Sequence, residues 1–300
     1  MRLERRELSL VARTPAKLNL VLDVLGRRAD GYHEIETVMV SIGLYDTLRF
    51  EPESSGRLEL SLTGTPARLG IDPSLFPLDH SNLILQAAQL LQTTTGCPQG
   101  VRISLEKRIP LQAGLGGGSS DAAATLVALN QLWNLGLTPA ELHPLAAQLG
   151  SDVNFFLDSV PMAVCRGRGE VIEPHPLSAP LHFVVVKPLG GLSTRDVFQH
   201  LDRSVPPRGC EPLLSGLRAG CPRMIGGGLH NALEAPAVSL SSEVAGTLAN
   251  LRLIPAWGSL MTGSGSSCFS VLAHPVQAAR AARRLRAMSD SQVFVVSSAT

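Results

Sequence analysis

The sequence predicts an α+β fold in two parts, and three observations carry that prediction. At 300 residues the chain exceeds one typical domain. Stretches with strand alternation and stretches with helical spacing of apolar residues both occur along it. The pattern then starts afresh after Pro161, which places a boundary near residues 161–173. Two domains are expected, residues 1–163 and residues 164–300.

The elements follow in chain order. Residues 18–25 and 57–63 alternate as half-buried strands do, and residues 47–51 form a plausible third strand. Residues 81–92 have helical spacing, with Ser81 as a candidate cap. Residues 101–106 alternate again, and residues 122–133 return to helical spacing. Thr138 caps a helix that carries Pro139 in its first turn. In the second part, residues 183–186 and 269–273 read as strands, and residues 194–202 and 241–253 as helices. Residues 275–288 are a helix whose Arg280, Arg283, Arg284 and Arg286 form a solvated face. The Pro/Gly-rich residues 205–223 read as a surface connection.

The most informative stretch lies between the strand at 101–106 and the helix at 122–133. Gly114, Gly116, Gly117 and Gly118 run into Ser119 and Ser120. Glycine allows positive φ and lets backbone N–H groups approach a ligand. The following helix adds unsatisfied N–H groups and the positive end of its dipole. Together these make a cradle for an anion, usually a phosphate. A side chain at Gly117 is expected to block that approach. The loop is not a Walker loop, because Gly118 is followed by two serines and not by Lys-Ser/Thr. Nor is it a good dinucleotide fingerprint, since Ser119 stands where the third glycine is needed. A flexible surface turn is the plain alternative.

Composition narrows the classes. With 44% hydrophobic and 17% charged residues the chain can bury a full core. A formal charge of +1 gives no electrostatic reason to expect nucleic-acid binding. The five cysteines are odd in number and lack a Cys-x-x-Cys pair, so reduced, mostly buried thiols are expected. There is no signal-peptide pattern behind Met1 and no run near the roughly 20 apolar residues of a membrane span. A cytoplasmic enzyme with no membrane partner is expected, as monomer or homodimer.

Of 26 basic residues only Lys17, Lys107 and Lys187 are lysine. A genome rich in G and C favours arginine wherever either residue will do. Positions that keep lysine are then enriched for places where a planar guanidinium fails and a compact ammonium is needed.

The loop Pro110-Leu-Gln-Ala-Gly-Leu-Gly-Gly-Gly-Ser-Ser-Asp-Ala122 resembles the ATP loop of the GHMP kinases, which hold ATP without a Walker lysine. Three further motifs sharpen the likeness: Pro15-Ala-Lys-Leu-Asn19 with Arg27-Arg-Ala-Asp-Gly-Tyr-His33, Gly150-Ser-Asp-Val-Asn-Phe-Phe156, and Met261-Thr-Gly-Ser-Gly-Ser-Ser-Cys-Phe269. In that order they resemble the 4-diphosphocytidyl-2-C-methyl-D-erythritol kinase family of the GHMP superfamily. Two departures are Asn154, where a proline is common, and the serines Ser264, Ser266 and Ser267. The resemblance implies a ribosomal-S5-domain-2-like first domain, a ferredoxin-like second domain and an active site between them. It implies phosphorylation of the C2 hydroxyl of 4-diphosphocytidyl-2-C-methyl-D-erythritol by ATP, in non-mevalonate isoprenoid biosynthesis.

Site residues follow by matching position. Asp152 is the expected base, its plain alternative being a helix cap. Lys17 would keep that carboxylate ionised and stabilise a developing alkoxide. Lys17 and Asn19 share the strand face opposite Leu18 and Leu20, and the resemblance puts both in the erythritol pocket. For the cytidine end it implies stacking on Tyr32 and Phe198, a contact from His33 and a pocket position for Thr194. For ATP it implies Pro110, Leu111, Gln112, Ala113, Gly114, Leu115, Gly116, Gly117, Gly118, Ser119 and Ser120, with Asn82 and Lys107. Magnesium is expected with the nucleotide, held by phosphates and water with Ser119 or Ser120, and no dedicated metal site is marked. Asp121 either faces away from the phosphates or approaches that ion. Two alternatives stay open: another GHMP kinase with a different acceptor, and a nucleotide-binding regulator without catalysis.

Overall fold

A computed structural model describes residues 1–6, 9–64 and 76–299. The chain divides into two compact units, neither of them one continuous segment. The first comprises Met1–Ala16, Leu44–Leu111 and Gly116–Val160; the second comprises Lys17–Gly43, Gln112–Leu115 and Pro161–Thr300.

The first unit is a helix layer on a sheet. Strand β1 (Arg2–Arg6) pairs antiparallel with the start of β2 (Ser9–Arg27). The latter half of β3 (His33–Glu53) pairs antiparallel with β5 (Gly100–Glu106), which also pairs parallel with β4 (Leu58–Thr63). Helix α1 (Leu83–Thr95) precedes β5, and α2 (Gly117–Leu132), α3 (Pro139–Leu149) and α4 (Val153–Asp158) follow it. The cap of α1 is Asn82, whose Oδ1 accepts from the Ile84 N–H at 3.0 Å, while Ser81 instead donates its hydroxyl to Asp79. An amide at the cap position satisfies an orphan helix N–H as well as a hydroxyl does. Helix α3 has the expected Thr138 cap, with Glu141 reaching back to complete a capping box. Helix α2 opens five residues before its apolar pattern. Its first turn is Gly-Gly-Ser-Ser, which has no apolar face to betray it.

In the second unit the early part of β3 pairs antiparallel with β6 (Met162–Arg166), which turns back onto β7 (Val171–Pro174). A separate four-stranded sheet follows the order β10 (Gly258–Met261), β11 (Cys268–Leu272), β8 (His182–Lys187), β12 (Gln292–Ser297), with every pair antiparallel. With α10 (Pro275–Arg286) between β11 and β12, this is the split βαββαβ order of a ferredoxin-like sheet. The arginines of α10 face solvent and its Ala278, Ala281, Ala282 and Leu285 face the core. Helix α5 (Thr194–Gln199) is three residues shorter than its pattern suggests. The stretch at 205–223 is not merely connection: α6 (Glu211–Ala219) runs inside it, with Leu213 and Leu214 buried. Pro212 sits in the first turn, where a missing N–H costs nothing, so proline there marks a helix start. Helices α7 (Pro222–Gly228), α8 (Glu234–Leu240) and α9 (Ser242–Arg252) lie between α6 and β10, and β9 (His230–Asn231) runs parallel to β2.

Candidate active site

The glycine loop connects β5 to α2. Gly116 is the N-cap of α2 at φ 71°, and no side chain caps that helix. Its first-turn amides therefore have no side-chain acceptor of their own, which is the condition for an anion nest. Pro110 is buried, Leu111 is exposed and Gln112 takes a positive φ of 48°. Ala113 and Leu115 are buried. Ala113 accepts from the Ser267 N–H at 3.2 Å and Leu115 from the Lys17 N–H at 3.0 Å. The two serines differ: Ser119 is half-buried, whereas Ser120 is fully buried with no hydrogen-bond partner for its hydroxyl.

The glycines are needed on the protein side. A Cβ on Gly114 would lie 2.3 Å from the Thr262 carbonyl, and one on Gly117 would lie 2.9 Å from Ile109 Cγ2 and 3.0 Å from Lys107 Nζ. The expectation that a side chain at 117 would screen the ligand is thus corrected: it would point into the protein. Gly118 alone is exposed and open, with its nearest atom, in Leu83, at 3.6 Å.

Lys107 is buried beneath this turn. Its ammonium donates to Asp46 Oδ2 at 2.5 Å and to Asp121 Oδ2 at 2.7 Å. Burial opposes the charged ammonium, but the two carboxylates outweigh it and raise its pKa. Burial pushes Asp121 the other way from a free carboxyl, up to about 7, against the pull of Lys107. Buried and bonded to Lys107, Asp121 faces inward. Asp46 was not singled out in the sequence. The signal was available: a lone lysine ahead of a buried turn requires an acidic partner.

Asp152 precedes α4 in the N-cap position, yet its side chain makes no capping bond. The helix-cap alternative is thereby removed for this carboxylate. Val153, Phe155 and Phe156 behind it are buried, the two rings meeting edge to face at 5.3 Å. Such packing fixes the backbone that carries Asp152. Gly150, two residues earlier, lies near the loop, since a Cβ there would be 3.8 Å from Ser119 Oγ.

In the second unit Lys17 is 4% exposed and donates to Asn19 Oδ1 at 2.6 Å. Asn19 donates from Nδ2 to Thr37 Oγ1 at 2.8 Å, and its backbone N–H reaches Thr262 Oγ1 at 2.9 Å. The side-chain amide is thus held by Thr37 at Nδ2, and its Oδ1 accepts from Lys17 and, at 3.3 Å, from Thr262 Oγ1. Thr37 is a further residue of this network that the sequence did not single out, whereas Thr262 lies in the Met261–Phe269 motif. Thr194 shares a hydrogen bond of 2.8 Å with Ser264. His33 stacks on Phe198 with centroids 4.7 Å apart, and its Nε2 is buried without a partner. Burial, then Arg203 and Arg27, lowers its pKa, so the ring is neutral at pH 7. Tyr32 is half exposed with the Arg168 guanidinium 4.7 Å above its ring. Lys187 is also buried, donating to the carbonyls of Pro188 at 2.5 Å and Gly190 at 2.8 Å. All three lysines of the chain are therefore buried point charges, at 4%, 5% and 6% exposure.

The GHMP kinases N terminal domain family matches residues 82–165, and the GHMP kinases C terminal family matches residues 213–290. The chain is 42% identical over 288 residues to the 4-diphosphocytidyl-2-C-methyl-D-erythritol kinase of Pelotomaculum thermopropionicum, covering 95% of this chain and 96% of that one. The enzyme of the same name from a Geobacillus species is 39% identical, covering 96% of each. The chain belongs to the 4-diphosphocytidyl-2-C-methyl-D-erythritol kinase family. A crystal structure titled 4-(cytidine 5'-diphospho)-2C-methyl-D-erythritol kinase superposes with a TM-score of 0.79 at 38% identity, over 97% of this chain and 100% of that one. A homoserine kinase from Cytophaga hutchinsonii, with a TM-score of 0.73 at 18% identity over 100% and 97%, shares the fold. Members of this kinase family are small-molecule kinases, and no helix among the described residues is long and apolar enough to cross a membrane.

Proposed function

We propose that this chain transfers the γ-phosphoryl group of ATP to the C2 hydroxyl of 4-diphosphocytidyl-2-C-methyl-D-erythritol, releasing ADP and the 2-phosphate, within non-mevalonate isoprenoid precursor biosynthesis. The observation that carries this reading is 42% identity, over 95% of the chain, to a kinase of that name, together with a glycine nest at a helix start without a side-chain cap.

The first-turn amides of α2 hold the phosphates, and Gly118 and Ser119 present the accessible part of the nest. Asp152 takes the proton of the C2 hydroxyl as that oxygen attacks, a role typically worth about 10²–10⁴-fold in rate. Lys17, oriented by Asn19, stabilises the charge that grows on the attacking oxygen. The cytidine ring is taken up at Tyr32, His33 and Phe198, with Thr194 beside them.

Magnesium fits this nest as an ion carried by the nucleotide. Among the described residues no group of three metal-binding side chains occurs, Ser120 is buried and Asp121 is committed to Lys107. The Ser119 hydroxyl would hold the ion together with phosphates and water, and when bound the ion would supply charge neutralisation to the transferred phosphate.

A panel of acceptor alcohols tests the assignment. ADP release with the cytidyl substrate, and none with homoserine or mevalonate, is expected. Release with either of the others in place of the cytidyl substrate overturns the acceptor.

A further inference from the structure

The ion cluster under the glycine loop has no part in the proposed chemistry, yet it is buried and closely hydrogen-bonded. Lys107, Asp46 and Asp121 have side chains only 2%, 0% and 3% exposed. Asp46 Oδ1 also accepts the backbone N–H groups of Arg108 at 2.5 Å and Ile109 at 2.9 Å. Asp121 Oδ1 accepts from Thr14 Oγ1 at 3.0 Å. The cluster therefore joins β2, β3, the chain leaving β5 and the first turns of α2. Two of these four, residues 107–109 and the start of α2, are the two ends of the glycine loop.

A buried ion cluster is a poor source of stability, since apolar residues of similar size often serve as well or better. Directional bonds from charged groups do something apolar packing does not: they fix separation and angle. Gly117 completes the arrangement. Its missing side chain lets the first residue of α2 lie against the ammonium, with only 3.0 Å between Nζ and the position a Cβ would take.

We propose that Lys107, Asp46 and Asp121 are positioning residues that set the distance between the two ends of the glycine loop, and so the spacing of the amides that receive ATP. Lys107 acts from beneath, through Gly117, and not by touching the nucleotide. This rests on the reading that the loop binds ATP, and it assigns Asp46 and Asp121 a part in nucleotide affinity.

The test replaces the ions by neutral groups without leaving a buried charge: Lys107→Met with Asp121→Leu and Asp46→Asn. The asparagine keeps an acceptor for the two N–H groups. Calorimetry with a nonhydrolysable ATP analogue reads binding directly, beside the melting temperature and the KM for the cytidyl substrate. A rise of about tenfold in the analogue Kd is expected, because small misplacements of binding groups are amplified. The cytidyl KM stays within about twofold and melting remains near that of the parent. An unchanged analogue Kd, or equal losses for both ligands, overturns the proposal. Where the triple variant does not fold, Asp46→Asn alone carries the test. A rise of about threefold in analogue Kd supports the proposal, and the parental value overturns it. Absence of turnover in the parent removes the acceptor assignment and leaves the binding test intact.

Discussion

Gly117 lies on the Lys107 ammonium, so that a Cβ at 117 would stand 3.0 Å from Nζ and 2.9 Å from Ile109 Cγ2. The glycine is thus required by what lies under the loop. Gly117→Ala should lower stability by about 1–3 kcal/mol, as overpacking does, and weaken ATP binding with it. Gly118→Ala is the control: its new methyl finds ordinary contact at 3.6 Å and should leave melting unchanged. Denaturant unfolding of the two variants checks the contrast. Equal stability would show that the floor of the loop yields freely.

Asp152→Asn should bind an ATP analogue as the parent does while turnover falls by about 10²–10⁴-fold, the usual contribution of a general base. Single-turnover assays beside calorimetry separate the two effects. Near-parental turnover would remove Asp152 as the base.

Lys17→Arg should be severely impaired although it keeps the charge. Lys17 is 4% exposed with Asn19 Oδ1 2.6 Å from Nζ, and a wider planar fork does not replace a compact ammonium at such a contact. Turnover at least about tenfold below the parent is expected. Full activity would discredit the argument from retained lysines.

The thiols give an independent check on packing. Among the described residues no cysteine forms a disulfide; Cys165, Cys210 and Cys268 are buried, Cys97 and Cys221 half-buried. Burial pushes the Cys210 and Cys268 thiols well above their usual pKa. Alkylation of the native protein followed by mass spectrometry should therefore label Cys97 and Cys221 first. Early labelling of Cys268 would contradict the packing of β11.

Much of this was legible in the sequence where pattern and chemistry coincide. The strand at 101–106, the Thr138–Glu141 start of α3 and the arginine face of α10 each follow from a local rule. The glycine loop was legible because few other roles require four glycines at the start of a helix. Helix α6 was hidden because prolines and glycines crowd its flanks, although Leu213 and Leu214 are buried. Asp46 and Thr37 were hidden for another reason: each acts on a residue distant in sequence, 18 positions away for Thr37 and Asn19 and 61 for Asp46 and Lys107. Asp121 was visible, but only its bond to Lys107 reveals that it turns into the protein.

The central claim, phosphoryl transfer to one hydroxyl of a cytidyl-linked polyol, is tested most directly by following the phosphate itself. The protein is incubated with ATP labelled at the γ-phosphate and with 4-diphosphocytidyl-2-C-methyl-D-erythritol, and the product is examined by phosphorus and carbon NMR. The account predicts one new phosphomonoester, carrying the label and coupled to C2, in step with ADP. Label in inorganic phosphate alone, or on any other hydroxyl, would contradict it.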